Sequence, residues 1–309
     1  MAFIKISKTL IHFILIPLLS YSSYSFSEGK EQSKVTVIYP DVKSSSNNVF
    51  PEIVKGIKSA FKGEVITLKL PQNFNSKDII SSITTQQVIA LGKPGLVIGK
   101  EVNHNKLVVL GALPVIAHNM SGISSMASPQ SLFEPLKTLA PKVQNITVVY
   151  SKSSAWLMED AKKEAKRINL HLNAILVDDL QMVVKTYDDF FQTTASENTV
   201  LWLPLDPISV NDTIIVPTLL EKAWNNKVTI ISSTPSHVKR GVLYATVPDH
   251  ISMGQQLAIF MQKIENKNIS SIVKALKTIK LAINLRTAKH LGYQYSQSKI
   301  EEFAFTFPE

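Results

Sequence analysis

The 309-residue chain contains no cysteine. This absence excludes disulfide bonds, thiol nucleophiles and cysteine-ligated metals, and it excludes a lipid anchor attached through a cysteine. The composition is otherwise that of a globular protein, with 45% hydrophobic and 18% charged residues. The length is sufficient for two domains of ordinary size.

Long apolar runs are also absent after the N-terminal segment, so no later membrane span is predicted. Near the start, Lys5 and Lys8 precede an apolar stretch from Leu10 to Leu19, and "SFS" follows before Glu28. This order predicts a secretory signal peptide over residues 1–27. A transmembrane anchor is the alternative, but the apolar core is much shorter than the roughly 20 residues of a span. We therefore expect a mature protein in the periplasm of a Gram-negative cell.

The signatures of common catalytic and metal sites are missing. The sequence has no HExxH pair, no Gly-x-Ser-x-Gly elbow and no recognisable pairing of carboxylates. We expect no metal and no cofactor, and binding alone is the favoured function. A periplasmic enzyme on the same scaffold is a less favoured alternative.

Negative charge is in deficit. The net charge is +9 and the sequence pI is about 9.4, which by itself is compatible with nucleic-acid binding. The basic residues are scattered, however, and an exported protein meets little nucleic acid, so we expect no nucleic-acid partner. A solvated basic surface is one interpretation, and a basic face that docks an acidic partner is the other.

Strand-like segments alternate with segments of helical periodicity after residue 33, and the alternation occurs twice. The strand-like segments are "KVTVIYPD", "EVITLKL", "QVIALG" and "KLVVLGALPVIA", then "NITVVYS", "HLNAILV", "NTVLWLPLD", "KVTIISST" and "RGVLYATVPD". This pattern predicts an α/β protein with two doubly wound parallel sheets. Ligands of such sheets bind beyond the carboxyl ends of the strands, so two lobes predict a ligand cleft between them.

The turn Gly92-Lys93-Pro94-Gly95 follows one of these strands. It lacks the earlier glycine and the hydroxyl of a Walker motif, so a nucleotide site is disfavoured. If Pro94 is the first residue of the next helix, free N–H groups and Lys93 would attract a carboxylate or phosphate. An ordinary strand-to-helix turn with a solvated lysine is the alternative.

Three further strand ends in the second half carry candidate ligand-binding residues. Ser151 ends one strand, and Trp156 follows it as a possible wall for an aromatic ligand or as a core residue. Asp206 follows Pro204 at another strand end and is the best candidate partner for an amine. Ser233 and Thr234 offer hydroxyl donors, although loops of this composition are common.

The first predicted strand ends in Tyr39-Pro40-Asp41. Tyr39 could stack on a ligand and Asp41 could pair with an amine. The other interpretation is a turn that only begins a loop.

Two segments near the C-terminus carry distinctive motifs, namely Lys239-Arg240-Gly241, Gly254 in the helix that follows, and the "NLRTAKHLG" tail, residues 284–292. With these motifs the chain resembles the ABC-transporter substrate-binding proteins that include tryptophan- and tyrosine-binding members. The resemblance is good over residues 119–293 and weak before them. One departure is "SSAW", residues 153–156, where family members usually place Asn-Ser.

The resemblance implies the periplasmic binding protein type I-like fold, with two lobes joined by crossover strands. The first lobe would comprise residues 34–118 and roughly 247–275, and the second residues 119–246 and roughly 280–309. It also implies that a small-molecule ligand, such as an amino acid, is held by lobe closure. The closed protein, expected to be a monomer, would dock on an inner-membrane ABC permease, or alternatively report to a membrane sensor.

Overall fold

The computed structural model describes residues 1–2, 33–42, 48–264 and 271–308. The chain divides into two units, Met1–Gln32 and Ser33–Glu309, and the structure below is that of the second unit. Nearly all of the predicted signal peptide, residues 1–27, lies outside the described residues. Within the described parts of the chain, none of the helices combines the length and apolarity of a membrane span.

Strands and helices alternate along the second unit. The strands are β1 (Lys34–Pro40), β2 (Glu64–Leu70), β3 (Gln87–Leu91), β4 (Leu107–Leu113), β5 (Ser121–Ala127), β6 (Asn145–Tyr150), β7 (His171–Leu176), β8 (Thr199–Leu203), β9 (Thr229–Ser232), β10 (Tyr244–Pro248), β11 (Val273–Leu276), β12 (Ile279–Asn284) and β13 (Phe305–Phe307). The helices are α1 (Val49–Ala60), α2 (Ser76–Ser82), α3 (Gly92–Val102), α4 (Pro129–Phe133), α5 (Leu136–Leu139), α6 (Met158–Arg167), α7 (Leu180–Thr193), α8 (Ile215–Asn225), α9 (His237–Arg240), α10 (His250–Ile264), α11 (Leu285–His290) and α12 (Gln297–Ile300).

The strands form two separate sheets, which define two lobes. Lobe I contains the sheet β11-β5-β4-β3-β1-β2, in which all strand pairs are parallel. Lobe II contains the sheet β13-β12-β10-β9-β8-β6-β7, in which only the β10–β12 pair is antiparallel. The predicted α/β class with two parallel-dominated sheets is confirmed.

Each central strand contributes to a core on both faces of its sheet. In β3, Ile89 and Leu91 point into one apolar cluster, and Val88 and Ala90 into another. The period of two arises because successive side chains of a strand lie on opposite faces. Since helices cover both faces, the whole strand is buried, which explains its uninterrupted apolar sequence.

The chain passes between the lobes at three places within the described residues. It crosses from β5 to α4, from β10 to α10, and from β11 to β12. Helix α10 returns the chain to lobe I, where it packs against α1 so closely that Gly56 faces the backbone of Ile251 and Gly254 faces that of Ile53. These three crossings are the covalent connections that any movement between the lobes must bend.

The structure corrects the predicted boundary between the lobes. Strand β5 pairs with β4 and β11 in the first sheet. Residues 121–127 therefore belong to lobe I, whereas the resemblance implies that residues 119–246 lie in the second lobe. The sequence "SGISSMA" contains three serines and a glycine and does not by itself predict a strand. Its hydrogen-bonded position between β4 and β11, rather than its own propensity, makes it one.

Candidate functional site

A cavity of about 320 Å³ lies between the lobes. Lobe I contributes Pro114 and Val115, which follow β4. Lobe II contributes residues that follow β8 and β9, namely Pro204, Leu205, Asp206, Pro207, Val210, Asp212 and Thr234. The cavity therefore lies at the carboxyl ends of strands from both sheets, where parallel α/β sheets place their ligands.

The lobe I wall of the cavity depends on an irregular end of β4. The register between β4 and β5 shifts after Leu110, and Ala112 adopts a left-handed backbone with a φ of 55°. The buried Ser124 Oγ of β5 then donates to the Pro114 carbonyl over 2.6 Å. This bond fixes the turn that presents Val115 to the cavity. The sequence does not predict the bond, because it does not predict β5.

Asp206 organises the lobe II wall. Its Oδ2 accepts hydrogen bonds from the Ser151 N–H and Ser151 Oγ, both at 2.9 Å, and from Ser153 Oγ at 3.2 Å. Its Oδ1 accepts from the N–H groups of Ile208 and Ser209, both at 3.0 Å. Five donors from two chain segments thus converge on a carboxylate that is 3% exposed.

These donors set the charge state of Asp206. Burial alone would raise its pKa, but the N–H groups of Ser209 and Ser151, aided by serine hydroxyls, outweigh burial and hold the pKa below its ordinary value. Asp206 is therefore a carboxylate whose two oxygens both already accept hydrogen bonds from protein groups. This differs from the expectation that Asp206 pairs with a ligand amine, because the sequence could not show that Ser151 and Ser153 reach it.

A second acidic residue at the cavity, Asp212, belongs to a chain of hydrogen bonds that the sequence analysis missed. Ser232 Oγ lies 2.8 Å from His237 Nδ1, and His237 Nε2 lies 2.6 Å from Asp212 Oδ1. Arg240 donates to the Asp212 carbonyl over 2.6 Å. No sequence motif links His237 to Asp212, because 25 residues separate them along the chain.

This serine–histidine–aspartate chain does not have the accessibility of a hydrolase triad. Ser232 is completely buried, and its Oγ also accepts the N–H of Thr234 at 3.0 Å. A nucleophile must reach its substrate, and this hydroxyl cannot. The arrangement instead fixes the ring of His237 and, through it, the carboxylate of Asp212.

His237 is expected to make stability depend on pH. Burial lowers its pKa below the ordinary value, although Asp212 opposes this effect. Because the pKa of His237 is lower in the folded than in the unfolded protein, the buried neutral ring contributes stability at pH values above the unfolded pKa. This stability is lost as the pH falls through the unfolded pKa towards the folded pKa.

We therefore predict that the melting temperature of the wild type falls more steeply between about pH 7.5 and about pH 5 than that of His237→Gln. Thermal melts followed by circular dichroism check this, with the exposed His104→Gln as the control that keeps the wild-type slope. Equal slopes for His237→Gln and the wild type would contradict the prediction.

The Gly92–Gly95 turn does not line the cavity. The prediction that Pro94 is the first residue of the helix is wrong, because α3 begins at Gly92 and Pro94 is its third residue. Since proline has no N–H group, the first turn of the helix has one free donor fewer for an anion. Gly92 has a φ of 69°, and an added Cβ would lie 3.0 Å from the Phe50 ring. Lys93 is exposed. Chain geometry thus explains the glycine without an anion.

The remaining candidates separate into core, surface and cavity residues. Tyr39 is 7% exposed and belongs to the core of lobe I, whereas Asp41 is exposed and donates its N–H to the Leu70 carbonyl.

In lobe II, Trp156 packs on the core. Ser233 Oγ accepts from the buried Trp202 indole over 3.1 Å. Of these, Thr234 joins Asp206 at the cavity.

Comparison with known proteins identifies the chain's relatives. The sequence profile of the ABC transporter substrate binding protein family matches residues 107–305, which include most of lobe II and the lobe I wall of the cavity. The chain belongs to this family. The resemblance inferred from the sequence is therefore confirmed.

Among curated proteins, the tyrosine-binding protein of Clostridioides difficile strain R20291 is 27% identical over 184 residues. The match covers 57% of this chain and 50% of that protein, so the chain spans about half the length of this relative.

Two solved structures were compared with the chain, and the first of them is similar in fold. One is the ligand-free, open structure of a substrate binding protein with adhesive properties from Clostridium difficile, with a TM-score of 0.58, 16% identity and coverage of 88% of this chain and 98% of the other. Another is an ABC domain in complex with L-Trp from Streptococcus pneumonia, with a TM-score of 0.49, 19% identity and coverage of 89% and 100%.

Two of the family-like motifs, those around Gly241 and Asn284, form one structural unit of lobe II. Asn284 Nδ2 donates to the Val238 carbonyl over 2.7 Å, and Thr287 Oγ1 donates to the Gly241 carbonyl over 3.0 Å. Gly241 ends helix α9 with a φ of 127°. In this member of the family these motif residues hold α9 against α11, and α9 in turn carries His237.

Proposed function

We propose that this protein is the solute-binding component of an ABC importer and that it binds an amino acid with an aromatic side chain between its lobes. The observation that carries the proposal is the cavity at the carboxyl ends of both sheets, in a chain of the substrate-binding family. Its volume of about 320 Å³ is at the lower end of the roughly 300–1,000 Å³ of small-molecule sites.

The composition of the cavity supports this ligand class. Its walls are mainly apolar, with Pro114 and Val115 facing Leu205, Pro207 and Val210. Apolar walls with few polar groups are typical of sites that bury an apolar ligand and orient it by selected hydrogen bonds. The relationship to a tyrosine-binding protein supports an aromatic amino acid in particular.

Binding would close the lobes, because the cavity walls come from both of them and the chain crosses between them at three places. A ligand that contacts both walls binds the closed form better and so shifts the population towards it. The closed form of the monomer would then be the one that docks on the permease.

The proposal includes export. Two lysines, an apolar core and "SFS" within residues 1–27 support a cleaved signal peptide and a periplasmic location. N-terminal sequencing of the protein from a periplasmic extract tests this part, and a retained Met1 would refute it.

We predict that L-tyrosine raises the melting temperature of the purified mature protein and makes it more compact. At a ligand concentration of about 100 Kd, binding should stabilise the folded state by about 2.7 kcal/mol. Differential scanning fluorimetry and small-angle scattering of the same sample measure the two effects.

The matched variants for this experiment are Val115→Asp, which places a charge in the lobe I wall, and Val97→Asp on the exposed surface of α3. Val115→Asp should abolish the response to L-tyrosine and Val97→Asp should retain it. No response of the wild type to L-tyrosine or L-tryptophan would refute an aromatic amino acid as ligand.

A further inference from the structure

We propose that Asp212, positioned by His237, is the residue that binds the amino group of the ligand. The inference deepens the proposed function and rests on it, because it names the recognition group within the same cavity. Asp212 lines the cavity together with Asp206, so the two carboxylates are alternative partners for a ligand cation.

The available oxygen atoms distinguish the two residues. Both oxygens of Asp206 accept hydrogen bonds from the protein. Among the described residues, the side chains that bind the Asp212 carboxylate are those of His237 and Arg240, and both contact Oδ1. The Asp212 side chain is 62% exposed, so Oδ2 can accept from a ligand ammonium group.

Hydrogen-bond roles along the chain determine the state of His237. The Thr234 N–H donates to Ser232 Oγ, which can then direct its own proton to His237 Nδ1. Nδ1 is consequently the acceptor of the neutral ring, and the Nε2 proton faces Asp212 Oδ1. Both ring nitrogens of His237 have a hydrogen-bond partner in this state, and the ring, which is 1% exposed, cannot turn away.

The backbone of Asp212 is held as firmly as its side chain. Asn211 Oδ1 accepts the N–H groups of Thr213 and Ile214, at 2.9 and 2.8 Å, and Arg240 binds the Asp212 carbonyl. A carboxylate fixed in this way before the ligand arrives needs little ordering on binding, which favours affinity. The role of His237 is therefore to position Asp212 rather than to touch the ligand.

The test compares L-tyrosine with 3-(4-hydroxyphenyl)propionate, which lacks only the amino group, by isothermal titration calorimetry on the full mature chain. Asp212→Asn should weaken L-tyrosine binding at least tenfold, as expected for a hydrogen bond between charged groups, and leave propionate binding within about twofold. His237→Gln should weaken L-tyrosine binding by a smaller factor, again without affecting the propionate. Asp189→Asn, at an exposed carboxylate of α7 that pairs with Lys185, is the control with wild-type affinity for both compounds.

Three results would overturn the inference. If Asp212→Asn leaves L-tyrosine binding unchanged, another group binds the amine, while the proposed function stands. If Asp212→Asn weakens both compounds equally, the residue supports the cavity and does not recognise the amine. If the wild type binds neither compound, the proposed ligand class and this inference fail together.

Discussion

Asp206→Ala is expected to lower the free energy of unfolding by about 3–5 kcal/mol, one of the largest effects of a single substitution in this protein. The alanine leaves donors of Ser151, Ser153, Ile208 and Ser209 without their acceptor. Several of these groups are buried, and a buried donor without a partner costs about 1–3 kcal/mol. Urea denaturation followed by circular dichroism at neutral pH measures the loss.

The pH dependence separates the charge of Asp206 from its shape. Because the folded pKa of Asp206 is depressed, its contribution is fully present above the unfolded pKa and is lost as the pH falls through the folded pKa. The stability difference between the wild type and Asp206→Asn should therefore shrink in acid. Asp189→Ala, which removes an exposed pair with Lys185, should cost less than about 1 kcal/mol. A loss of that small size for Asp206→Ala would contradict the central role of this carboxylate.

Gly254→Ala is expected to destabilise the protein by about 3 kcal/mol or more, although alanine is the better helix former by about 1 kcal/mol. A methyl group at this position would overlap the Ile53 carbonyl oxygen and contact the Ile57 nitrogen and the Gly56 Cα. These are backbone atoms of α1, so the conflict is relieved only by separating two helices. Steric overlap therefore outweighs helix propensity.

The matched control is Gly99→Ala in α3. Its added Cβ would lie 3.3 Å from side-chain atoms of Ala90, Leu110 and Val108, and side chains can shift by a few tenths of an ångström. We expect a change within about 1 kcal/mol, because the gain in helix propensity offsets the tight contact. Thermal melts of the two variants compare them directly, and equal stability would show that the α1–α10 contact can open without cost.

The sequence alone was sufficient to predict the fold class, because burial between two layers of helices imposes a visible pattern. Strands such as β3 and β8 are buried along their whole length, so they are read directly from uninterrupted apolar segments. The motifs around Gly241 and Asn284 were sufficient to predict the family. Strand β5 was missed because its neighbours, not its own residues, make it a strand.

The tertiary structure decided which candidate residues face the cavity, because each of the decisive contacts joins residues far apart in the chain. Ser151 is 55 residues from Asp206, and Asp212 is 25 residues from His237. Strand-end positions could be predicted from the sequence, since parallel strands end at the same edge of a sheet. Both oxygens of Asp206 accept hydrogen bonds from the protein, whereas among the described residues the side-chain partners of Asp212 contact Oδ1 and leave Oδ2 for a ligand. This difference depends on donors that only the folded chain brings to each carboxylate.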